Sequence, residues 1–322
     1  MTEKGSVLVV TEPNDVTADM VISHLNRLGV PVARFNPADI GAAVSIAARF
    51  DACPVRVTGQ LRTPSRCVEL DEVRAIYWRR PVWPAFHRLP AADARFAASQ
   101  VRYGLGGVLY ALRDCRWVNH PLRNAAADYK PAQLALARTF GLRVPPTLVT
   151  NDPDDARRFI REHGRVIYKA LRWTPYARNG VGLTTWTEPV RAEEVDDTVR
   201  ITPHLFQARV DKAADLRVLI VGRRVFTVRL DSDLLDWRQD YSRLRYEVVD
   251  LPDRLSRTLL AYLEHYGLAS GSFDLAMDRD GEFHWLELNP NGQWAWLEEQ
   301  TGLEMAAAFA HLLAEGEARV VT

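Results

Sequence analysis

The sequence contains few cysteines, no long apolar run and no excess of either charge. Its three cysteines, Cys53, Cys67 and Cys115, form no CxxC pair, which argues against a disulfide framework or a zinc site and favours a reducing cytoplasm. No stretch approaches the roughly 20 apolar residues of a membrane span, so no membrane partner is expected. The 41 basic and 41 acidic residues balance, which argues against a generic nucleic-acid-binding protein.

The chain is long enough, at 322 residues, to form more than one packed core. The pattern of apolar runs and helix stops predicts a mixture of α/β and α+β units. We expect an N-terminal α/β domain over residues 1–122, a small central α+β domain over 123–204, and a C-terminal mixed α+β domain over 205–322.

The N-terminal prediction depends on a strand–helix–strand pattern. Val7–Val10 is a short apolar run typical of a buried strand, and Val30–Phe35 is a second strand. Between them, Asp15 or Thr17 can cap a helix that Gly29 ends. This βαβ beginning predicts a small open α/β sheet.

A hairpin near the C-terminus gives the strongest local pattern. Asp280-Gly281 is typical of a two-residue type I′ turn between two strands. A turn centred there predicts that Met277 faces His284 and that Leu275 faces Leu286.

The same hairpin register places Asp274 directly opposite Glu287, with Asn289 on the same face. Two facing carboxylates repel each other, and a divalent cation between them would remove that repulsion. Carboxylate and amide oxygens suit Mg²⁺ held jointly with phosphate, and do not suit zinc. The alternative is an ordinary surface hairpin whose acidic side chains face solvent. The polar exit at Pro290–Gly292 favours a site.

Several residues of the middle third are suited to a phosphate ligand. Lys130 begins a helix, and Lys169 ends a short apolar strand where an unpaired lysine is unusual. Gly180-x-Gly182 could form a flexible flap over phosphates, but it lacks the third glycine of a dinucleotide fingerprint, which excludes a dehydrogenase. The alternative is that each lysine extends to solvent along its apolar stem.

Arginines follow in the last third. Arg217 and Arg229 lie on two predicted strands joined by a tight turn at Gly222-Arg223, and arginine is suited to bidentate phosphate binding. A pair of surface arginines on edge strands is the alternative. Asp236–Arg238 lies in a polar loop that could face a substrate.

The ordered set of these residues resembles the ATP-grasp ligases over about residues 120–310. The matching positions are Lys130, Lys169, the strand 205–210, Asp215-x-Arg217, Arg229, Asp274 and Glu287-x-Asn289. Finer features resemble the ATP-grasp maturases of ribosomal peptides, the graspetide or microviridin-type macrocyclases. These features are Thr11–Asp19, Tyr77–Pro81 and Asp236–Arg238.

The resemblance implies an ATP-grasp fold and a role for each matched position. The implied nucleotide-binding residues are Lys130 and Lys169 at the phosphates, Gln207, Ala208, Arg209 and Val210 at the adenine, and Asp211 at the ribose. The implied ligands of two Mg²⁺ ions are Asp274, Glu287 and Asn289. The implied catalytic residues are Arg217, Arg229 and Arg238.

The implied activity is ATP-dependent cross-linking of a precursor peptide that carries a leader segment. Asp or Glu side chains would be activated as acyl phosphates and joined to Thr, Ser or Lys side chains. A homodimer is also implied. Trp173, Tyr176 and Trp186 are candidates for leader binding, although each could instead pack in a core. The alternatives are a glutamate or amino-acid ligase, and a nucleotide-binding regulatory protein without catalysis.

Overall fold

The computed structural model describes residues 5–50, 57–112, 114–172, 174, 176–178 and 181–315, and of residues 176–178 and 181 it describes the backbone. Cys67 and Cys115 are free thiols, and Cys53 lies outside the described residues. None of the helices in the described ranges is long and apolar enough to cross a membrane.

The described helices are interspersed with runs of one or more strands. The helices are α1 (Val16–Arg27), α2 (Ala91–Tyr110), α3 (Pro121–Ala127), α4 (Lys130–Thr139), α5 (Pro153–His163), α6 (Asp253–Tyr266), α7 (Ala295–Thr301) and α8 (Met305–Glu315). The strands are β1 (Ser6–Val10), β2 (Val32–Phe35), β3 (Ser45–Arg49), β4 (Thr58–Arg62), β5 (Cys67–Glu69), β6 (Val73–Trp78), β7 (Arg116–Val118), β8 (Thr147–Thr150), β9 (Val166–Lys169), β10 (Tyr176–Arg178), β11 (Val181–Leu183), β12 (Glu188–Val190), β13 (His204–Ala208), β14 (Lys212–Val221), β15 (Arg224–Asp231), β16 (Arg245–Val248), β17 (Ser270–Asp278) and β18 (Phe283–Asn289).

The N-terminal unit contains a parallel sheet in the order β2-β1-β6-β7, as the βαβ pattern predicted. Asp15 caps α1 by accepting a hydrogen bond from the amide of Ala18 at 3.2 Å. Alternate residues of β1 face two cores, because side chains of a strand alternate between its faces. Val7 and Val9 pack towards α1 and α8, while Leu8 and Val10 pack towards α2. A small antiparallel sheet, β3-β4-β5, adjoins this unit.

The central unit is an antiparallel sheet in the order β12-β9-β13-β8, covered by α5. Phe206 of β13 lies in its core, so this sheet reaches Ala208, four residues beyond the boundary predicted after residue 204. Helix α4, which was predicted to belong to this unit, instead packs on the C-terminal sheet. The reason is that its apolar residues Leu134 and Ala137 join the core of that sheet.

The C-terminal unit is an antiparallel sheet in the order β16-β15-β14-β17-β18. Helices α4 and α6 cover one face, which carries Leu216, Val218 and Ile220. On the other face the half around Leu219 and Val221 packs with α7, α8 and the N-terminal core. The remaining half of that face is polar and lies opposite the central sheet.

The hairpin β17–β18 confirms one predicted pair and corrects the others. Asp274 pairs with Glu287, but Leu275 faces Trp285, and Met277 faces Phe283. The connection is longer than a two-residue turn, because the Asp278 amide bonds to the carbonyl of Glu282 at 3.0 Å. A β-bulge beside Asp274 inserts Leu286 as an extra residue and restores the predicted acidic pair.

Candidate active site

A cavity of about 300 Å³ lies between the central sheet and the polar half of the C-terminal sheet. Its volume is at the lower end of the range for small-molecule sites. Nine of the residues that the resemblance assigns to nucleotide, metal or catalysis line it: Lys130, Lys169, Gln207, Ala208, Arg209, Val210, Arg238, Asp274 and Glu287. The fold therefore brings residues from five separate stretches of the chain to one cavity: α4, β9, the end of β13, the loop after β15 and the hairpin β17–β18.

The acidic pair meets Asn289 at one point. The side-chain Nδ2 of Asn289 lies 3.2 Å from Asp274 Oδ2 and 3.1 Å from Glu287 Oε1. A half-turn of this amide would present its oxygen where its nitrogen now lies. The three side chains can thus offer hard oxygen ligands to a cation at that point.

The other oxygen of each carboxylate is bound to a basic side chain. Lys130 Nζ lies 2.9 Å from Glu287 Oε2, and Arg217 Nη1 lies 2.7 Å from Asp274 Oδ1. Burial raises the pKa of Asp274; Arg217 opposes that rise, and the charge of Glu287 adds to it. Burial would also raise the pKa of Glu287, but Lys130 and Arg238 outweigh it and hold this pKa well below its usual range.

The three oxygen donors suit a magnesium ion shared with a phosphate ligand better than a metal ion held by protein ligands alone. Within the described ranges, no group of three or more His, Cys, Asp or Glu side chains could hold a metal ion. Two carboxylates and an amide leave ligand positions free, and Mg²⁺ characteristically fills such positions with water and phosphate oxygens. Asp274, Glu287 and Asn289 are therefore suited to Mg²⁺ that is shared with a nucleotide.

The two lysines approach the carboxylates from the central side. Lys130 Nζ donates to the carbonyl of Ala170 at 3.0 Å as well as to Glu287. Lys169 Nζ donates to Gln207 Oε1 at 3.0 Å, so the side chain of Gln207 holds a lysine. Burial lowers the pKa of Lys169 to about 8, with Glu287 opposing the shift and Lys130 reinforcing it.

The motif Asp236–Arg238 lies in the loop after β15, and its residues contact both the cavity and the core. Arg238 lines the cavity and makes two hydrogen bonds to Asp236, of 2.8 Å and 2.7 Å. Asp236 also accepts the amide of Thr187 at 3.0 Å, which ties this loop to the chain beyond β11. Trp237 packs into the core shared with the N-terminal unit. Asp236 therefore fixes the side chain of Arg238, and Trp237 anchors the loop that carries it.

Four predicted site residues lie outside the cavity lining: Arg217 and Asn289 contact the acidic pair, whereas Arg229 and Asp211 have other partners. Arg229 pairs with Leu216, whereas Arg217 pairs with Val228, so the two arginines point to opposite faces of the sheet. Arg229 Nε is bound to Asp231 at 2.9 Å. Asp211 is bound by Arg279 at 3.2 Å on the surface. The structure brings Arg217 to the acidic pair and does not bring Arg229 there.

Asp215 belongs to the matched set of the sequence, but the resemblance gave it no specific role. Asp215 lines the cavity and is bound by Lys212, whose Nζ also donates to the carbonyl of Leu235 at 2.9 Å. Burial raises the pKa of Asp215 to about 6, with Lys212 opposing the rise. The available signal was an aspartate at the start of a long apolar strand. The position of Asp215 relative to β17 depends on the register shift between Lys212 and Ala214, and residue spacing alone does not reveal that shift.

The predicted flap and leader contacts are described in part. Trp186 lines the cavity. Gly180 and Trp173 lie outside the described residues, and Tyr176 belongs to the short strand β10, of which the backbone is described.

No protein-family model matches the chain, and no curated protein matches its sequence. Solved structures do match it. A RiPP-associated ATP-grasp ligase of Chryseobacterium gregarium, in complex with ADP and a leader and core peptide, is 26% identical with a TM-score of 0.90, and the match covers 98% of each chain. The chain is an ATP-grasp ligase.

Two macrocyclases of Microcystis aeruginosa MRC are also similar to this ATP-grasp ligase. MdnC, bound with precursor peptide MdnA, is 25% identical with a TM-score of 0.85, covering 96% of this chain and 99% of MdnC. MdnB is 28% identical with a TM-score of 0.81, covering 97% of this chain and 100% of MdnB. The fold, the enzyme class and the likeness to RiPP maturases predicted from the sequence are confirmed.

Proposed function

We propose that this ATP-grasp ligase cross-links side chains within a ribosomally made precursor peptide. It would activate Asp or Glu side chains with ATP and join them to Thr, Ser or Lys side chains of the same peptide. The observation that carries the proposal is the facing pair Asp274 and Glu287, each bound to a basic side chain, on the wall of a cavity that Lys130 and Lys169 also line. Similarity to ligases solved with precursor peptides supports the choice of substrate.

The nucleotide would lie between the two sheets. Lys130 and Lys169 would bind its phosphates, and the backbone of residues 207–210 would bind the adenine. Asp274, Glu287 and Asn289 would hold two Mg²⁺ ions against the phosphates. Bound magnesium would supply neutralisation of the charge on the transferring phosphoryl group.

The reaction places modest demands on protein side chains. The substrate carboxylate takes the γ-phosphoryl group of ATP, giving an acyl phosphate and ADP. The hydroxyl or amine of the peptide then attacks the acyl carbon, phosphate leaves, and an ester or amide forms. Such transfer requires positioning and charge neutralisation. Arg217 and Arg238 would contribute that charge beside the acidic pair.

The glutamate or amino-acid ligase is the alternative within the same class, because it would use the same acidic pair and lysines. The two functions differ in what stimulates ATP hydrolysis. A precursor peptide with its leader does so under the proposed function, and free amino acids do so under the alternative. The predicted homodimer and cytoplasmic location belong to this proposal as well.

The test combines the chain with ATP, Mg²⁺ and a precursor peptide encoded beside it. Mass spectrometry should show the loss of one water for each ring formed. Glu287→Gln should abolish these losses while the variant stays folded. Glu282→Gln is the matched control on the same hairpin, because Glu282 is exposed and pairs with Arg143 at 3.1 Å away from the cavity.

Each outcome of this experiment has a defined meaning. ATP turnover stimulated by free amino acids, with an unchanged peptide mass, would favour the alternative ligase. Undiminished dehydration by Glu287→Gln would contradict the metal assignment.

A further inference from the structure

Strand β18, which carries Glu287 and Asn289, lies at the edge of its sheet. An edge strand leaves every second N–H and C=O group without a strand partner. Helix α4 covers this edge and places a side chain where a neighbouring strand would lie. The backbone of β18 is therefore bound by α4 as well as by β17.

The side chain that takes the place of a strand is Gln133. Its Oε1 accepts the amide of Leu288 at 3.0 Å, and its Nε2 donates to the carbonyl of Leu288 at 2.9 Å. This is the two-bond pattern that a strand partner would provide. Nε2 also donates to the carbonyl of Ala127, and the side chain is buried. Gln133 therefore ties Leu288 to the last residue of α3.

The position of Leu288 makes these bonds relevant to the site. Its amide belongs to the peptide group shared with Glu287, and its carbonyl belongs to the peptide group shared with Asn289. Fixing both peptide groups restricts the directions in which these two side chains leave the backbone. Lys130, one turn earlier on α4, contacts Glu287 directly, because residues three apart lie on one helix face.

We propose that Gln133 is a positioning residue that holds Glu287 and Asn289 at the spacing a divalent cation needs. The inference rests on the proposed function, since it takes these two side chains as magnesium ligands. Removal of the Gln133 hydrogen bonds would release the orientation of these two side chains and weaken cation binding about tenfold, the scale typical of groups that orient metal ligands.

The test compares Gln133→Met with Tyr262→Phe. The methionine keeps the volume of the side chain and removes its hydrogen bonds. Tyr262 Oη donates to the backbone carbonyl of Gln133 at 3.0 Å, so its loss loosens α4 and leaves the bonds to Leu288 in place. Two quantities are measured: the Mg²⁺ concentration for half-maximal peptide dehydration at saturating ATP, and amide hydrogen exchange at residues 286–290 without metal.

Gln133→Met should raise the half-maximal Mg²⁺ concentration about tenfold and speed exchange at 286–290 by a similar factor. Tyr262→Phe should lower the unfolding temperature and change both quantities by less than about twofold. Equal Mg²⁺ dependence in the two variants, or unchanged exchange in Gln133→Met, overturns the proposal. Wild-type protein that dehydrates no peptide would instead reject the proposed function, and the exchange comparison would still judge Gln133.

A second variant protects the test against misfolding. Gln133→Glu can still accept the amide of Leu288 but cannot donate to its carbonyl, so an intermediate rise in the Mg²⁺ requirement is expected. In the wild-type chain the Leu288 amide should exchange slowly. An unprotected rate there contradicts the proposal even if neither variant folds.

Discussion

Lys169 is the residue whose protonation should respond to pH in an accessible range. Burial places its folded-state pKa at about 8, below the ordinary 10.5 that applies in the unfolded chain. Between these values the unfolded chain binds more protons, so this lysine makes the free energy of unfolding rise with pH. Its charge is unfavourable in the folded chain until an anion pairs with it.

Nucleotide affinity should therefore fall as pH rises above 8. Only the protonated lysine attracts phosphate, so ADP should bind about fivefold more weakly at pH 9 than at pH 8. Isothermal titration calorimetry in buffers of different ionisation enthalpy should also detect proton uptake on binding. Lys169→Met should bind weakly and lose this pH dependence. A pH-independent affinity in the wild-type chain would exclude the role of Lys169.

Arg217 on β14 and Arg229 on β15 provide a second test, because only Arg217 contacts the acidic pair. Arg217→Met should lower the free energy of unfolding by about 3 kcal/mol, because it leaves the buried Asp274 without its ion-pair partner. It should also abolish peptide dehydration. Chemical denaturation and mass spectrometry would measure the two effects.

Arg229→Met should cost at most about 1 kcal/mol, because Arg229 and Asp231 are both partly exposed. Dehydration should be close to that of the wild-type chain. A large loss of activity in this variant would restore the catalytic role predicted from the sequence and contradict the separation of the two arginines by the sheet.

The hairpin β17–β18 is the element where prediction from the sequence succeeded only in part. The pair Asp274 and Glu287 was predicted from a two-residue turn, but the actual connection is longer, which shifts the register by one. The bulge at Leu286 shifts it back. Alternation of apolar and polar residues cannot reveal such compensation, because a longer turn and a bulge leave the same pattern near Glu287.

The loop after β18 depends on a glycine that contacts the site. A Cβ added to Gly292 would lie 2.8 Å from Arg217 Nη2 and 2.8 Å from Ser272 Cβ. Gly292→Ala should therefore displace Arg217, cost about 1–3 kcal/mol and reduce dehydration strongly.

A control for Gly292→Ala is available on helix α2. Gly104→Ala meets nothing within 4 Å and should stabilise the helix by about 0.5–1 kcal/mol. Thermal unfolding and dehydration assays on both variants would check the comparison. Full activity of Gly292→Ala would mean that Arg217 tolerates displacement.

At the scale of the molecule, the sequence predicted the fold class and local strand–helix patterns better than the packing between distant stretches. The βαβ start and the C-terminal strands follow from local patterns. The assignment of α4 to the C-terminal core, and of β13 to the central sheet, depends on packing between distant stretches. The local spacing of apolar residues does not reveal contacts between stretches that are distant in the sequence. For the same reason the separation of Arg229 from the cavity escaped prediction.

The N-terminal unit should not fold as an independent domain. Its core includes Met305, Phe309 and Leu313 of α8, so a fragment of residues 1–122 would expose the face that these side chains cover. We expect that fragment to bind a hydrophobic dye and to unfold without a cooperative transition. Calorimetry would check this, and a cooperative transition would show that α8 is dispensable.

The contact between α8 and β1 also affects synthesis. Nearly 300 residues separate Val9 from Met305, so at typical translation rates of 5–20 residues/s the first strand waits about 15–60 s for its last partner. Until then the nascent chain presents an uncovered apolar face to the cell. We therefore expect co-expressed chaperones to raise the yield of folded enzyme in a foreign host.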